Sequence, residues 1–226
     1  MKTNNKKIKL RYGENPNQNA FLVDTLKNSI FKYQISGKKI SYNNIIDVDS
    51  GLKCLSEFTE PTSIIVKHTN PCGVASSKNI NIAFNKAFSS DSKSAFGGVV
   101  LLNRKVNYEL AKKMSRIFFE VIVAKGFEKK AIHELKKRKK LILLKISSSQ
   151  NQVSEIKNTV FGDLYQSVDR ERINKNFIKL ASNKKGAEKE IKDILFSIKV
   201  VKHLKSNSIV LSKNTQTIGL GHGQAN

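Results

Sequence analysis

The sequence contains no tryptophan, only two cysteines and only three prolines among its 226 residues. Two cysteines, Cys54 and Cys72, cannot form a framework of disulfides, which excludes a disulfide-rich secreted scaffold and favours a reducing compartment. No apolar run reaches the roughly 18 residues that a membrane span requires. The basic N-terminus has no apolar segment behind it, which argues against a secretory signal. These absences predict a soluble, cytoplasmic protein with no membrane partner.

Acidic residues are scarce: 18 Asp and Glu stand against 41 Lys and Arg, and the formal net charge is +23. Arginine is also scarce, with six residues. Readout of bases and bidentate phosphate binding favour arginine, whereas scattered lysine indicates a compositional bias of the surface. The densest basic run, Lys136–Lys140, fits a solvated helix end. A basic nucleic-acid-binding module stays open as an alternative, but the charge chiefly favours attraction of an anionic small molecule.

The hydrophobic share of 39%, with 12 phenylalanines, indicates a folded domain with a substantial core. From Ser63 onward, apolar strand patterns alternate with helical patterns, which predicts an α/β domain with a mixed or largely parallel sheet. The predicted strands are Ser63–Lys67, Val99–Leu102, Val121–Ala124 and Leu141–Ile146, and the predicted helices are Ile80–Phe88, Tyr108–Phe118 and Glu128–Lys137.

The flanks of this alternation are less regular. Residues 1–9 are expected to be a disordered lead, and Asn43-Asn44 indicates a loop. Either Asp49 or Ser50 is expected to cap a helix that extends to Phe58.

Residues 147–158 are polar and aperiodic, which predicts a linker. A long helix is predicted from Gly186, followed by a strand at Ser206–Ser212 and a hairpin partner at Thr217–Leu220. The βα unit that follows the linker could be a degenerate copy of the first βα unit.

The segment Ser63–Val74 is the strongest candidate for chemistry. Its apolar run ends in Lys67 and His68, and Pro71 with its neighbours predicts a turn that ends the strand. The carboxyl rim of an open α/β sheet is where ligands usually bind, so we expect the pair there. A merely solvated Lys and His is the alternative reading.

Three kinds of chemistry are possible for this segment. A zinc site lacks ligands, because Asn70 and Ala75 occupy the positions where a zinc deaminase would have Glu and Cys. Cys72 can be either a nucleophile activated by His68 or a small buried thiol. Proton transfer by His68, with the Lys67 ammonium stabilising developing negative charge, is the better chemical interpretation, and no metal is expected.

Two glycine-rich segments can bring backbone N–H groups close to a ligand. Ser94–Gly98 precedes a strand, and Phe96 within it could cover a planar ring. Gly219–Gly223 lies near the end of the sequence. Neither has the context of a dinucleotide-binding or P-loop motif, so tight turns between strands are the alternative.

Six stretches in this order closely resemble one family, the formyltransferase portion of the bifunctional AICAR transformylase/IMP cyclohydrolase of purine biosynthesis. The resemblance covers nearly the whole chain, and each motif is several residues long. The matching stretches are RYGENPNQ (Arg11–Gln18), SYNNIIDVDSGL (Ser41–Leu52), IVKHTNPCG (Ile65–Gly73), SAFGG (Ser94–Gly98), FEVIVA (Phe119–Ala124) and KSNSIVLSKNTQTIGLGHGQ (Lys205–Gln224).

The resemblance implies a reaction, in which formyl passes from the co-substrate 10-formyltetrahydrofolate to the 5-amino group of AICAR. It implies that Lys67 and His68 are the catalytic pair and that Asn207 stabilises the developing oxyanion. It also implies a set of nucleotide-binding residues. These are Arg11, Tyr12, Asn44, Phe96, Gly97 and Glu120.

The resemblance further implies a fold class: α/β, with a cytidine-deaminase-like mixed sheet flanked by helices and an incomplete second lobe. We expect the first lobe over 10–146, the linker over 147–158 and the start of the second lobe over 159–226. The family's active site lies at a dimer interface, so a homodimer or a complementing chain is expected. The family pattern extends beyond both ends of the sequence, so cyclohydrolase activity is not expected and a non-catalytic nucleotide-binding fragment is the alternative.

Overall fold

The computed structural model describes residues 6–24, 29–147, 154–181, 183 and 186–225, which form five helices and twelve strands. Two single turns of 3-10 helix, Ile30–Lys32 and Lys175–Phe177, accompany them. In chain order the elements are β1 (Lys6–Lys9), β2 (Phe21–Asp24), β3 (Gln34–Ser36), α1 (Tyr42–Leu55), β4 (Thr62–Lys67), β5 (Asn70–Ser76), α2 (Ile80–Ser90), β6 (Val99–Val106), α3 (Tyr108–Met114), β7 (Val121–Phe127), α4 (Lys129–Lys136), β8 (Ile142–Lys145), β9 (Ser154–Thr159), β10 (Gly162–Ser167), α5 (Glu188–Val201), β11 (Ile209–Ser212) and β12 (Thr217–Gly221).

The centre of the fold is a mixed sheet of six strands in the order β3-β8-β7-β6-β4-β5. Strands β6, β7 and β8 are parallel, whereas β4 is antiparallel to both β6 and β5. The α/β class and the mixed sheet are confirmed. The predicted strands and helices between Ser63 and Ile146 are all present, although β6 and β7 extend further and α3 ends earlier than predicted.

The register of the sheet corrects the predicted location of the Lys67-His68 pair. Val66 pairs with Val99, Val99 with Val121, and Val121 with Ile142. Because β4 runs against the other three strands, its carboxyl end lies beside their amino ends. The pair therefore does not lie at the carboxyl rim of the parallel strands, which the sequence could not reveal because strand direction is a tertiary property.

Helices cover both faces of the sheet, and alternate residues of each strand point to opposite faces. Ile65 packs in the core with α2, α3 and α4, while Ile64 and Val66 pack in the core with α1 and α5. All three are fully buried, so each stabilises the fold by about 1.5–3 kcal/mol through the hydrophobic effect. Helix α1 packs closely because Gly51 lies against Leu101, where a Cβ would overlap that side chain.

Helix α1 begins earlier than predicted, at Tyr42. Its N-cap is Ser41, whose hydroxyl accepts the Asn44 N–H at 3.2 Å, and the Asn44 amide oxygen accepts the Ser41 N–H at 3.4 Å. This capping box satisfies two of the backbone donors that a helix start leaves free. The predicted loop at Asn43-Asn44 is wrong, because the usual glutamate of a capping box is replaced by asparagine, which otherwise signals turns.

The predicted Pro-Cys-Gly turn is also wrong. The chain reverses earlier, at His68 and Thr69, and Pro71 belongs to β5. Proline is tolerated because β5 is an edge strand of the sheet and a register shift between Ile65 and Val66 lies beside it.

Two further segments differ from expectation. The lead expected to be disordered over 1–9 contains β1 from Lys6, and β1 pairs with β2 across the turn-rich segment. The linker expected over 147–158 includes the first residues of β9, which pairs with β10 in an exposed hairpin whose Phe161 is 98% exposed. Residues 1–5 and 148–153 lie outside the described residues, and the division into two lobes stays a prediction.

Helix α5 and its hairpin repeat the layout of α1 and its hairpin. Both helices have 14 residues, and each is followed by an antiparallel strand pair. In each unit a helical aspartate accepts the backbone N–H of a threonine 22 residues later, Asp47 from Thr69 and Asp193 from Thr215. The predicted helix after Gly186 and the predicted hairpin are confirmed. Among the described residues, no helix is long and apolar enough to cross a membrane.

Candidate functional site

His68 and Thr69 form the turn between β4 and β5, and both have left-handed backbone angles, with φ of 53° and 65°. Side chains fix this conformation. The Asp47 carboxylate accepts the Thr69 N–H at 2.7 Å, and the Ser50 hydroxyl donates to the Thr69 carbonyl. The Asn70 amide donates to the His68 carbonyl at 2.9 Å. The imidazole of His68 is thereby held outward, on an exposed residue.

Lys67 is tied to the glycine-rich segment before β6. Its ammonium donates to the Phe96 carbonyl at 2.9 Å. Gly97 has a left-handed φ of 74°, and its N–H donates to the Phe118 carbonyl at 2.8 Å. Phe96 is 60% exposed, and its ring lies 5.0 Å from that of Phe118 between centroids. An apolar, partly open surface therefore adjoins the ammonium.

Glu120 and Asn44 meet at the same end of the sheet. The Asn44 amide, which is buried, donates to the Glu120 carboxylate at 2.9 Å, and the Lys38 ammonium lies 3.3 Å from the same oxygen. The Glu120 backbone N–H donates to the Gly98 carbonyl. A carboxylate with one oxygen held in this way is oriented for a polar ligand group such as a hydroxyl.

Asp47 lies behind the turn, and burial raises the pKa of its carboxyl above the ordinary value. The hydrogen bond from Thr69 and the positive charge of His68 oppose that rise, while the charge of Glu120 adds to it. The carboxylate is thus part-buried behind the turn, where it accepts the turn's backbone N–H and is attracted by the charge of His68.

Cys72 does not have the setting of a nucleophile. Burial raises the pKa of its thiol to about 12, and the charge of Asp91 adds to the rise, so the thiolate is scarce at neutral pH. Its sulfur instead contacts the Ile65 carbonyl at 3.5 Å. Of the two readings, the structure favours a small unreactive thiol over a nucleophile, and the residue is only partly buried.

Within the described ranges no group of three or more His, Cys, Asp or Glu side chains could hold a metal.

A cavity of about 380 Å³ adjoins the turn, between β5 and β12. These two strands meet in antiparallel sense where Ala75 bridges Gln216, and Ser76 N–H donates to the Thr215 carbonyl at 2.9 Å. Toward His68, the next hydrogen bond between the two strands is the one that the Val74 N–H donates to the Thr217 hydroxyl at 3.0 Å. Past that bond, within the described part of the chain, no hydrogen bond joins β5 to β12. The lining residues are Lys67, His68, Asn70, Pro71, Cys72, Ser90, Asp91, Ser94, Thr217, Ile218, Gly219, Leu220 and His222.

The remaining residues that the resemblance singles out lie around this centre. The exposed Arg11 guanidinium lies 5.2 Å from the centroid of the Tyr12 ring. Their loop contacts the start of α1, where the Asn43 amide donates to the Glu14 carbonyl at 3.1 Å. Asn207 exchanges backbone hydrogen bonds with Gln224 beyond β12 and is not among the residues that line the cavity.

The structure thus brings Lys67, His68, Asn44, Phe96, Gly97 and Glu120 to one end of the sheet, and their individual roles stay predictions. Sequence reasoning missed three contributors. Asp47 and Ser50 support the turn from within α1, where Ser50 was predicted only as a possible helix cap, and His222 lines the cavity. Only the glycines around His222 gave a signal.

Comparison with known proteins places these residues in a family. A family model described as the AICARFT/IMPCHase bienzyme matches residues 1–226. The bifunctional purine biosynthesis protein PurH of Caldicellulosiruptor saccharolyticus is 43% identical over an alignment that covers 96% of this chain and 44% of that protein. The proteins of the same name from Listeria monocytogenes and Bacillus subtilis are 43% and 41% identical, over 99% and 98% of this chain and 45% and 44% of their own lengths.

The chain therefore spans slightly under half the length of the curated relatives that it matches. The match includes every residue of the site described above. This chain belongs to the AICARFT/IMPCHase bienzyme family.

Proposed function

We propose that this chain serves purine biosynthesis as a formyltransferase, transferring formyl from 10-formyltetrahydrofolate to the 5-amino group of AICAR. The observation that carries the proposal is the turn at His68. It presents an imidazole and the neighbouring Lys67 ammonium at the mouth of a cavity, beside the backbone of Phe96 and Gly97. The chemistry needs a proton acceptor and a cation close together, and this arrangement supplies both.

The nucleotide would bind across the end of the sheet. Arg11 suits a phosphate because its guanidinium is a permanent cation with several donors, and Tyr12 lies beneath it. Asn44 and Glu120 form a polar pair suited to ribose or base groups. The exposed ring of Phe96 offers a stacking surface for a planar heterocycle.

The transfer step uses the turn directly. The AICAR amine attacks the formyl carbon while His68 accepts the proton that the amine loses. The Lys67 ammonium has three N–H donors, of which one is held by the Phe96 carbonyl, so two remain to stabilise the oxyanion and to assist protonation of the leaving nitrogen. Asn207 would add an amide donor to the oxyanion, after a movement that brings it toward the cavity.

The proposal includes a setting as well as a reaction. We expect a cytoplasmic enzyme with a cytidine-deaminase-like fold, no metal in the chemistry, no specific nucleic-acid partner, and a homodimer or a complementing chain at the site. Light scattering after size-exclusion chromatography, with and without AICAR, measures the assembly. A monomer that turns over at full rate would contradict the expected interface site.

The test of the reaction uses purified protein with AICAR and 10-formyltetrahydrofolate, with release of tetrahydrofolate followed by absorbance. Lys67→Ala and His68→Ala should each lower the rate by at least about 10²-fold. Lys213→Ala is the matched control for Lys67, because Lys213 precedes the equivalent turn of the second hairpin.

Each outcome of this assay has a definite meaning. Turnover that survives either site substitution removes the assigned roles. Binding of AICAR without turnover supports the alternative, a nucleotide-binding module without catalysis. Absence of both binding and turnover refutes the proposed function.

A further inference from the structure

The cavity lies between strands that belong to the two repeated units, β5 of the first and β12 of the second. They are antiparallel where they meet, at the Ala75–Gln216 bridge. Each step forward along β12 is therefore one step back along β5. From this bridge β5 leads back to the turn at His68 and Thr69, and β12 leads forward to His222, so both strands reach the same cavity. His222 is exposed and lines the same cavity as His68, His222 after the end of β12 and His68 in the turn before β5.

The two repeated turns differ in what surrounds them. The second turn, at Asn214 and Thr215, is closed: the Asn214 carbonyl accepts the Lys86 ammonium at 2.9 Å, and the Thr215 hydroxyl donates to the Ser76 carbonyl at 2.9 Å. The first turn faces the open cavity. Histidine occupies the open turn and asparagine the closed one, so the group able to transfer protons lies where a ligand can reach it.

Four other ionisable groups line the cavity walls or adjoin them, and each is committed to one state or one partner. Hydrogen bonds from the Ser94 hydroxyl and N–H, at 2.6 and 2.9 Å, lower the pKa of Asp91 and keep it ionised. Burial raises the pKa of Cys72 to about 12 and keeps it neutral. Lys67 has one N–H on the Phe96 carbonyl and its other two for the developing oxyanion, and Asp47 behind the turn accepts the Thr69 N–H.

Two imidazoles therefore remain as the groups that can exchange a proton across the cavity. Within the described residues, neither ring accepts or donates a hydrogen bond; Asn70 and Gln224 contact only the backbone carbonyls of His68 and His222. Histidine is the side-chain type whose charge changes between pH 5 and 8, and such groups are the most effective proton-transfer catalysts near neutral pH. Both rings are free to act on a bound ligand.

We propose that His222 is a second catalytic residue, the general acid that protonates the leaving nitrogen while His68 acts as the general base. This inference rests on the proposed formyl transfer, which removes one proton from the attacking amine and adds one to the departing amine. It assigns the second proton to His222 instead of Lys67, and leaves Lys67 to stabilise the oxyanion.

The step balances without a redox partner. The amine forms a bond to the formyl carbon as the π bond of the formyl C=O opens and its electron pair moves to the oxygen, and one amine proton passes to His68. The oxyanion then re-forms the C=O bond while the bond between that carbon and the donor nitrogen breaks. The electron pair of the broken bond stays on the nitrogen, which takes the proton of the His222 imidazolium. After products leave, His68 loses its proton to solvent and His222 regains one.

The closing experiment compares pH profiles of the full chain with those of His222→Gln, His68→Gln and the control His133→Gln. His133 lies on α4, away from the cavity, and is exposed. A general acid acts only while protonated, so the rate ratio of wild type to His222→Gln should be about 10²-fold or more at low pH and shrink as pH rises. The ratio for His68→Gln should grow as pH rises, and His133→Gln should match wild type.

A second readout separates failure of this inference from failure of the proposed function. Imidazole NMR signals of the four histidines are assigned from the same variants and titrated with AICAR and with folate. The signals of His68 and His222 should both shift on binding. If only His68 responds, or if His222→Gln keeps the wild-type rate and profile, His222 has no catalytic role although the formyltransferase proposal stands. If no histidine responds and no turnover occurs, both are refuted.

Discussion

Replacing Asp47 with alanine tests whether helix α1 holds the turn at His68 and Thr69 in place. The turn has two non-glycine residues in the left-handed region, each at a cost of about 1–2 kcal/mol. The Asp47 carboxylate offsets part of this through its 2.7 Å bond from the Thr69 N–H, and a bond to a charged group contributes about 1.5–3 kcal/mol. Burial of the carboxylate raises its pKa and so disfavours its charged form. Because removing the carboxylate also removes that cost, the expected loss of stability lies near the lower figure.

We therefore expect Asp47→Ala to lower the free energy of unfolding by about 1.5 kcal/mol, and the midpoint of thermal unfolding by roughly 3–6 °C. Since about 1.4 kcal/mol corresponds to a tenfold change in an equilibrium constant, formyl transfer should fall by up to about tenfold as the turn relaxes. Urea unfolding and the transfer assay measure the two effects.

Asp193→Ala is the matched control, because Asp193 accepts the Asn214 and Thr215 N–H groups at 2.9 and 2.7 Å in the second hairpin. It should lower stability to a similar or larger extent, yet leave the transfer rate within about twofold, which is under 0.5 kcal/mol. Equal losses of activity in the two variants, or full activity in Asp47→Ala, would refute the view that Asp47 acts by positioning His68.

Three further predictions concern other parts of the molecule. Gly97→Ala should lower stability by about 1–2 kcal/mol, because φ there is 74°, and should weaken AICAR binding measured by calorimetry; unchanged binding would place the ligand elsewhere. Burial would raise the pKa of Glu57, but hydrogen bonds from His203 and Lys202, with their charges, lower it overall. The stabilisation that the Glu57 carboxylate contributes is therefore present above its ordinary pKa of 4.5 and is lost as pH falls through the lower pKa of the folded state. Urea unfolding of Glu57→Gln should accordingly depend less on pH between 6 and 3 than unfolding of the wild type. An identical pH dependence in the two proteins would count against the interaction of Glu57 with Lys202 and His203. Phe161→Ser should leave the unfolding midpoint unchanged, because the ring is 98% exposed; a clear loss would show that the hairpin is covered in solution.

Much of the fold could be predicted because local patterns agreed with it. The apolar run before Lys67 predicted β4, and the helical spacing after Gly186 predicted α5, since each pattern reports which face is buried. The predictions failed where a side chain had two uses. Asn44 completes the capping box of α1 instead of making a loop, and Pro71 lies in an edge strand instead of ending a strand.

The candidate site was only partly predictable for the same reason. Lys67 and His68 stood out as ionisable groups after an apolar run, and the family resemblance added Glu120 and Asn44. The carboxylate of Asp47 gave no signal, because a helical aspartate is common and its partner Thr69 is distant in sequence. Its role depends on a contact between α1 and the turn, and sequence spacing does not encode that contact.

The sequence by itself determined the α/β class, the order of most strands and helices, and the Lys67-His68 pair, because hydrophobic period and residue chemistry are local properties. Only the tertiary structure decided that β4 runs against its parallel neighbours, so that the pair meets the amino ends of those strands. Only it decided that β5 and β12 diverge beyond their bridge around a cavity that both His68 and His222 line. Both depend on long-range pairing, whose free energy comes from surfaces that are distant along the chain.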